Sequence, residues 1–465
     1  MAPQFGSKTI EVMEAIRAKV ANRAFAVGDR LPSIRNLAAT LSVSPSTVVE
    51  AYERLAAEGL VRARRGSGYY ISASVWPALA LGDDDRKLDR TVDPFWVSRQ
   101  SLDANPTTLK PGCGWLPANW MPGDALRKEL RSLARAEEFI LTDYGSTSGS
   151  ADLRRLLLMR FAEDGVEATP DQLMLTASGT QAIDLVCRLL LRPGSVVLVD
   201  DPCYFNFRAL LRAHQAEVVG VPYTPTGPDI AQFEALVVEH RPRLYITNSA
   251  LHNPTGGTLS PHVAHSILNI ATAHDMIIVE DEIFADFEPE PSPRLAALDG
   301  LKRVIRIGSF SKTLSASIRC GYIATRAEWI GDLVDLQVAI NFGGPSPIAA
   351  NLIAGVLTSG GYRKHMDALR LRLVRTRREV ADKLQNLGFE MWLMPRGGFF
   401  LWCRLPERLN AADLARAALA DDIVLAPGDV FSVTGSASTY MRFNVAQSTD
   451  PRIWETMKRA IAASR

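Results

Sequence analysis

The sequence predicts a multidomain chain: a small N-terminal winged helix-turn-helix, then a large α/β body that ends in a smaller α+β lobe. Three observations carry this. Residues 8–72 hold three helical stretches followed by two short strand-like pieces around a basic turn. From about residue 111, short apolar runs alternate with helical patterns, as in an α/β sheet. Near the C-terminus strand-like runs return at Gly397–Arg404 and Tyr440–Val445. At 465 residues, 47% of them apolar, the chain has material for large cores and two or three domains.

In the first module, Ile10, Val12, Met13, Ile16 and Val20 form a helical stripe. Gly28-Asp29 breaks the chain, and Leu31-Pro32-Ser33 opens a short helix to Leu41. After the Ser42-Val43 turn, Ser44-Pro45 reads as N-cap and first residue of a third helix running to about Glu58. Strand-like Leu60–Arg62 and Tyr69–Ser72 flank Arg64-Arg65-Gly66-Ser67-Gly68. This order is that of a winged helix-turn-helix, although a small helical protein-interaction module shares the topology. In the winged-helix reading Ser44, Ser46 and Thr47 approach base edges, while Val48, Tyr52 and Leu55 face the core. Arg64 and Arg65 on the wing meet phosphates or the minor groove, Arg35 touches the backbone, and Gly66 lies in the wing.

Charge agrees with a basic module on a neutral body. The net charge is +1, yet residues 1–73 carry ten Lys/Arg against six Asp/Glu. The five cysteines are scattered with no Cys-x-x-Cys spacing, which argues against zinc and a disulfide framework and fits a reducing cytoplasm. No apolar run approaches the ~18 residues of a membrane span, and no signal-peptide core is present. His262 and His265, three apart without a third ligand, read as surface residues.

Residues 74–110 lose periodicity and read as a linker, with Phe95, Trp96 and Val97 as an anchor point or a short docked helix. The body, residues 111–465, has strand-like runs at Leu173–Thr176, Val196–Val199, Leu244–Thr247, Met276–Val279 and Arg303–Ile307. Residues 328–387 are mostly helical, with Arg370–Arg378 as a solvated face.

One stretch organises the body: Gly308-Ser309-Phe310-Ser311-Lys312-Thr313, followed by Arg319. A lysine set between two buried strands loses its proton readily and becomes a nucleophile suited to Schiff-base chemistry. The Ser/Gly backbone and Arg319 suit a phosphate. Taken alone, the stretch fits a turn with a solvated lysine equally well. A nucleotide P-loop is excluded, because no Gly precedes the Lys-Thr pair. Ser178-Gly179-Thr180, opening a helix after a strand, is a second candidate anion site.

The pattern Ser309-x-x-Lys312-(six)-Arg319 resembles the active-site segment of fold-type I pyridoxal-phosphate enzymes, the aspartate-aminotransferase-like group. The resemblance implies that Ser309 and Arg319 bind the phosphate and that Lys312 carries pyridoxal 5'-phosphate as an aldimine. It implies further that Ser178, Gly179 and Thr180 form the phosphate cup, and that Tyr204, in Asp200-Asp201-Pro202-Cys203-Tyr204, stacks on the pyridine. Asn253, in His252-Asn253-Pro254-Thr255-Gly256, reaches the phenolic oxygen, and Asp281 pairs with the ring nitrogen. Tyr144 reaches the other subunit's phosphate, and Arg442 clamps a carboxylate. The family's tyrosine just after this Asp is missing, since Asp281-Glu282-Ile283-Phe284 offers no hydroxyl; efficient transamination is therefore not expected.

The first module resembles the GntR family through Leu31-Pro32-Ser33-Ile34-Arg35, Val43-Ser44, Ala51-Tyr52-Glu53-Arg54-Leu55, Glu58-Gly59-Leu60 and the wing Arg65-Gly66-Ser67-Gly68. A GntR-type winged helix joined to an aminotransferase-like domain is the arrangement of MocR-type regulators. The resemblance implies a cytoplasmic, domain-swapped homodimer that binds two half-sites of double-stranded DNA and senses a small amino compound through aldimine chemistry. The alternatives are a competent aminotransferase with an autoregulatory DNA module and a sensor of pyridoxal phosphate itself.

Overall fold

The computed structural model describes residues 8–21, 25–64, 67–72, 94–406 and 409–463. The chain divides into two compact units, Met1–Asp89 and Arg90–Arg465.

In the first unit, helices α1 (Lys8–Ala21), α2 (Ile34–Leu41) and α3 (Pro45–Ala57) precede a hairpin of β1 (Val61–Arg64) and β2 (Gly68–Ile71). Local chemistry sets the boundaries. The Ser33 hydroxyl accepts from Asn36 N–H to cap α2, Ser42 leaves it in a left-handed conformation, and the Ser44 hydroxyl accepts from Thr47 N–H to start α3. Val12, Met13, Ile16, Leu37, Val48, Tyr52, Leu55, Val61 and Ile71 pack as one core. Full burial of a residue such as Leu55 contributes about 1.5–3 kcal/mol. Tyr52 donates its hydroxyl to Pro32 O at 2.7 Å, tying α3 to the start of α2. Ile10 departs from the expected stripe and is exposed, because the stripe is narrower than five residues require.

The second unit is built on an eight-stranded sheet. Its strands are β3 (Leu173–Thr176), β4 (Val196–Asp201), β5 (Glu217–Thr224), β6 (Gly227–Pro228), β7 (Leu244–Thr247), β8 (Ile277–Asp281), β9 (Val304–Ser309) and β10 (Gly321–Ala324). They lie in the order β3-β10-β9-β8-β7-β4-β5-β6. Strands β9, β8, β7, β4 and β5 run parallel, while β10 is antiparallel to both β9 and β3. The inner strands are buried on both faces, and alternate residues feed two separate cores. Leu198, Tyr245 and Ile278 join one core, whereas Val197, Val199, Leu244, Ile246, Ile277 and Val279 join the other. Helix Gly179–Leu190 covers the second face, and helices Ala151–Glu163 and Pro261–Ala273 cover the first.

A four-stranded antiparallel lobe closes the unit: β11 (Glu390–Met391), β12 (Phe400–Arg404), β13 (Ala426–Pro427) and β14 (Tyr440–Asn444), in the order β11-β12-β14-β13. The helix Gly361–Asn386 carries the arginine-rich segment, but not as an entirely solvated face. Arg377 is buried and donates to Gly398 O at 2.8 Å, satisfying a carbonyl at the lobe's edge. Residues 94–110 belong to this unit rather than to a free connector. Pro94–Leu102 is helical with Trp96 and Val97 buried, and Leu109 N–H donates to Asp422 O at 2.9 Å.

Candidate cofactor and effector site

The strands that run in one direction, β3, β4, β7, β8 and β9, end on the same edge of the sheet, the edge where α/β sheets bind ligands. Just beyond those ends stand Ser178, Tyr204, Asn248, Asp281 and Ser309, and all of them line one cavity of ≈ 210 Å³. Gly179, Thr180, Asn253, Lys312, Arg319 and Arg442 line it as well.

Lys312 sits in the turn after β9. Ser309 Oγ accepts from Ser311 N–H at 3.1 Å, and Phe310 and Leu314 anchor the turn in the core. Enclosure pushes the Lys312 ammonium down to about 8, with the Arg442 and Arg319 charges adding to the effect. The amine is therefore neutral in a sizeable fraction near physiological pH. Ser178 caps the helix Gly179–Leu190 by accepting from Gln181 N–H at 3.0 Å. A Cβ on Gly179 would stand 3.6 Å from Ser309 Cβ, which shows how closely the two candidate phosphate segments approach. Behind them, a Cβ on Gly321 of β10 would stand 2.7 Å from Ser178 C, so only glycine fits there. Arg319 is exposed yet lines the cavity.

Asp281 ends β8 and is 6% exposed. Burial raises its carboxyl to about 6, against the opposing pull of Ile283 N–H, Asn248 and Lys312. Among the described residues it forms no ion pair, and Asn248 Oδ1 beside it is buried without a partner. A carboxylate in that setting calls for a cationic or N–H partner from a ligand.

Arg442, on β14, is 1% exposed and packs over Phe400 and Phe431, 4.3 and 4.7 Å from the ring centres. Its Nη1 donates to Asn253 Oδ1 at 2.8 Å and its Nη2 to Gly112 O at 2.7 Å, while Nε has no partner among the described residues. Burial lowers the guanidinium to about 10, so it remains charged. Asn253 is held in turn by the loop after β7, where His252 stacks on Tyr223 and meets Thr255 Oγ1 at 2.8 Å. Gly114 marks where the functional groups converge. A Cβ there would lie 3.8 Å from Arg442 Nη2 and 3.9 Å from Lys312 Nζ. A lysine amine and a buried guanidinium thus address one small volume.

Phe284 lines the same cavity and packs edge-on against Phe399 and Phe400, bringing no hydroxyl to it. Tyr144 does not reach this chain's cavity; it is exposed and stacks on Phe342. The sequence reading missed Gly112-Cys113-Gly114-Trp115 and the face of helix Pro94–Leu102, both of which line the cavity. The paired glycines were the available signal: a Cβ on Gly112 would stand 2.4 Å from the Leu425–Ala426 backbone.

In the first unit Ser44 and Ser46 are exposed and Thr47 half-buried at the start of α3, their hydroxyls linked at 2.8 Å. Arg35 and Arg64 are exposed, and Arg64 stacks 4.6 Å over Tyr70. Arg65 and Gly66 lie outside the described residues. Arg30 joins this surface, pairing backbone with Tyr70 beside the wing.

Two family models match the chain. Residues 8–71 match the bacterial regulatory proteins of the gntR family, and residues 115–460 match aminotransferase class I and II. The chain belongs to the MocR-type regulators, a GntR winged helix fused to a class I and II aminotransferase domain. This MocR-type regulator is 27% identical to the uncharacterized HTH-type transcriptional regulator YdcR of Escherichia coli, over 96% of this chain and 97% of that one. It is 25% identical to the HTH-type transcriptional regulator NorG of Staphylococcus aureus, over 91% and 97%. Among solved structures, α-aminoadipate aminotransferase LysN of Thermus thermophilus, complexed with N-(5'-phosphopyridoxyl)-L-leucine, aligns with a TM-score of 0.71 at 24% identity, covering 83% of this chain and 98% of that one. Kynurenine aminotransferase of Pyrococcus horikoshii aligns at 0.72 with 22% identity and the same coverages. At these identities the MocR-type regulator shares their fold.

Proposed function

We propose that the protein is a DNA-binding transcriptional regulator whose aminotransferase-like domain holds pyridoxal 5'-phosphate and responds to a small amino acid. One observation carries the reading: Lys312 Nζ and Arg442 converge on Gly114 in a cavity that buried Asp281, Ser178, Gly179 and Thr180 also line. The residues fit the cofactor. All of these line the cavity: Ser178, Gly179, Thr180, Ser309 and Arg319 would hold the phosphate, Tyr204 would stack on the ring, Asn253 would reach its oxygen, and Asp281 would partner its nitrogen. When bound, the cofactor supplies an aldehyde carbon that condenses with amines and a ring that accepts electrons. Lys312 would supply the amine that holds the cofactor's aldehyde carbon, and its Nζ would take up or give back a proton. Arg442 orients the incoming carboxylate in two-pronged fashion.

Phe284 gives the cofactor's oxygen no second donor, which favours lasting capture of an amino compound over turnover. Ser44, Ser46 and Thr47 read bases, while Arg35, Arg64, Arg65 and Gly66 position the backbone on each of two half-sites. The functional unit is a domain-swapped homodimer in the cytoplasm, in which the exposed Tyr144 serves the partner copy's phosphate. All five cysteines are free and buried, and no described helix is long and apolar enough to cross a membrane. Borohydride reduction of the purified yellow protein followed by peptide mapping tests the cofactor assignment. The label is expected on Lys312 and absent from Lys312→Ala; a label on another lysine refutes it.

A further inference from the structure

The helix Pro94–Leu102 presents Val97, Ser98, Ser101 and Leu102 to the cavity that contains Lys312 and Arg442. The spacing i, i+1, i+4, i+5 places all four on one helix face. The helix is firmly seated, since Trp96 and Val97 are buried in an apolar cluster with Phe205, Trp402 and Phe431. Ser101 is 2% exposed, and its hydroxyl has no hydrogen-bond partner among the described residues. Nearly all buried hydroxyls in folded proteins are satisfied, so an orphan on a cavity wall marks a place for a ligand's polar group.

Charge narrows that ligand. Among the described residues lining the cavity, the cations are Lys312, Arg319 and Arg442, and the carboxylate is Asp281. In the proposed function each already has a task, with the amine, the phosphate, the α-carboxylate and the ring nitrogen respectively. An effector side chain bearing a further charge would be enclosed without a counter-ion. Of the uncharged polar groups on the cavity wall, which include Asn248, Ser311 and Trp115, Ser98 and Ser101 are the two that this helix presents, beside Val97 and Leu102.

We infer that Ser98 and Ser101 form the effector's side-chain subsite, and that the effector is a small amino acid with an uncharged, hydrogen-bonding side chain. The inference rests on the amino-acid-sensing reading above. It also gives the helix a place in signalling, because residues 73–93 join it in sequence to the winged helix. Occupancy of the cavity is thus read by the element that directly follows that connection.

The test is an absorbance titration of the holoprotein and Ser101→Ala with serine, threonine, glutamine, leucine, glutamate and lysine. The parent should respond at lowest concentration to serine, threonine or glutamine. Ser101→Ala should keep the cofactor's spectrum and weaken that response about tenfold, the cost of one lost hydrogen bond, while the leucine midpoint stays put. Tightest response to glutamate or lysine overturns the subsite, as does an unchanged midpoint for the preferred ligand in Ser101→Ala; both leave the amino-acid sensor standing. A parent with bound cofactor that answers none of the six overturns the sensor reading and the subsite together.

Discussion

In the proposed function Lys312 and Arg442 divide the recognition of an amino acid between them, one end each, and each end has its own measurement. Because burial sets the Lys312 amine at about 8, and only the unprotonated amine attacks an aldehyde, capture of pyridoxal phosphate by the apoprotein should speed up with rising pH. The sign follows from the base: below about 8 the ammonium dominates and the rate falls, above it the rate levels off. Stopped-flow absorbance between pH 6.5 and 9.5 checks this; a rate that keeps climbing through pH 9.5 without levelling off would give Lys312 the ordinary lysine value of about 10.4. For Arg442, lysine cannot copy the forked geometry toward a carboxylate. Arg442→Lys should keep the bound cofactor and basal DNA affinity yet weaken the amino-acid response by about 2–5 kcal/mol, the usual cost of breaking a desolvated charge pair. A variant that responds as well as the parent assigns the effector no carboxylate at this position.

At the scale of elements, the wing, the turn after β9 and the helix Pro94–Leu102 differ in how far the sequence revealed them. Turn and cap chemistry made the first unit readable: Ser33, Ser44 and Pro45 stand where helices must begin, and the structure begins them there. Strands β3 and β7 matched their apolar runs, because strands buried on both faces leave no polar interruption. Strand β5 was not legible, since its exposed Glu217 and Pro222 dilute the pattern. The helix Pro94–Leu102 was obscured by Asp and Pro residues around it, and its burial depends on Phe205, Trp402 and Phe431, all distant in sequence. Positions such as Gly114 could not be read at all, because their significance is the approach of Arg442 and Lys312 from elsewhere in the chain. For the wing, Arg64 stands exposed on β1 over Tyr70, and the proposed function gives it a DNA phosphate. Arg64→Ala should lower the slope of log affinity against log salt by about 0.9, the share of one neutralised phosphate. An unaltered slope in fluorescence-anisotropy titrations would remove Arg64 from the DNA contact.

At the scale of the whole molecule, the two units are joined in sequence through residues 73–93, and regulation requires that an event at Lys312 alter DNA affinity. Linkage makes the requirement reciprocal: an effector that changes DNA affinity by some factor must have its own affinity changed by the same factor when DNA is present. The most direct test therefore follows both signals in one sample, titrating the cofactor-loaded protein with the preferred amino acid while reading cofactor absorbance and binding to labelled operator DNA. The account predicts that the two signals change with one midpoint, that operator DNA shifts this midpoint, and that Lys312→Ala abolishes both responses while retaining basal DNA binding. DNA affinity that follows pyridoxal phosphate alone and ignores the amino acid, or steady keto-acid production with no effect on DNA, would contradict it.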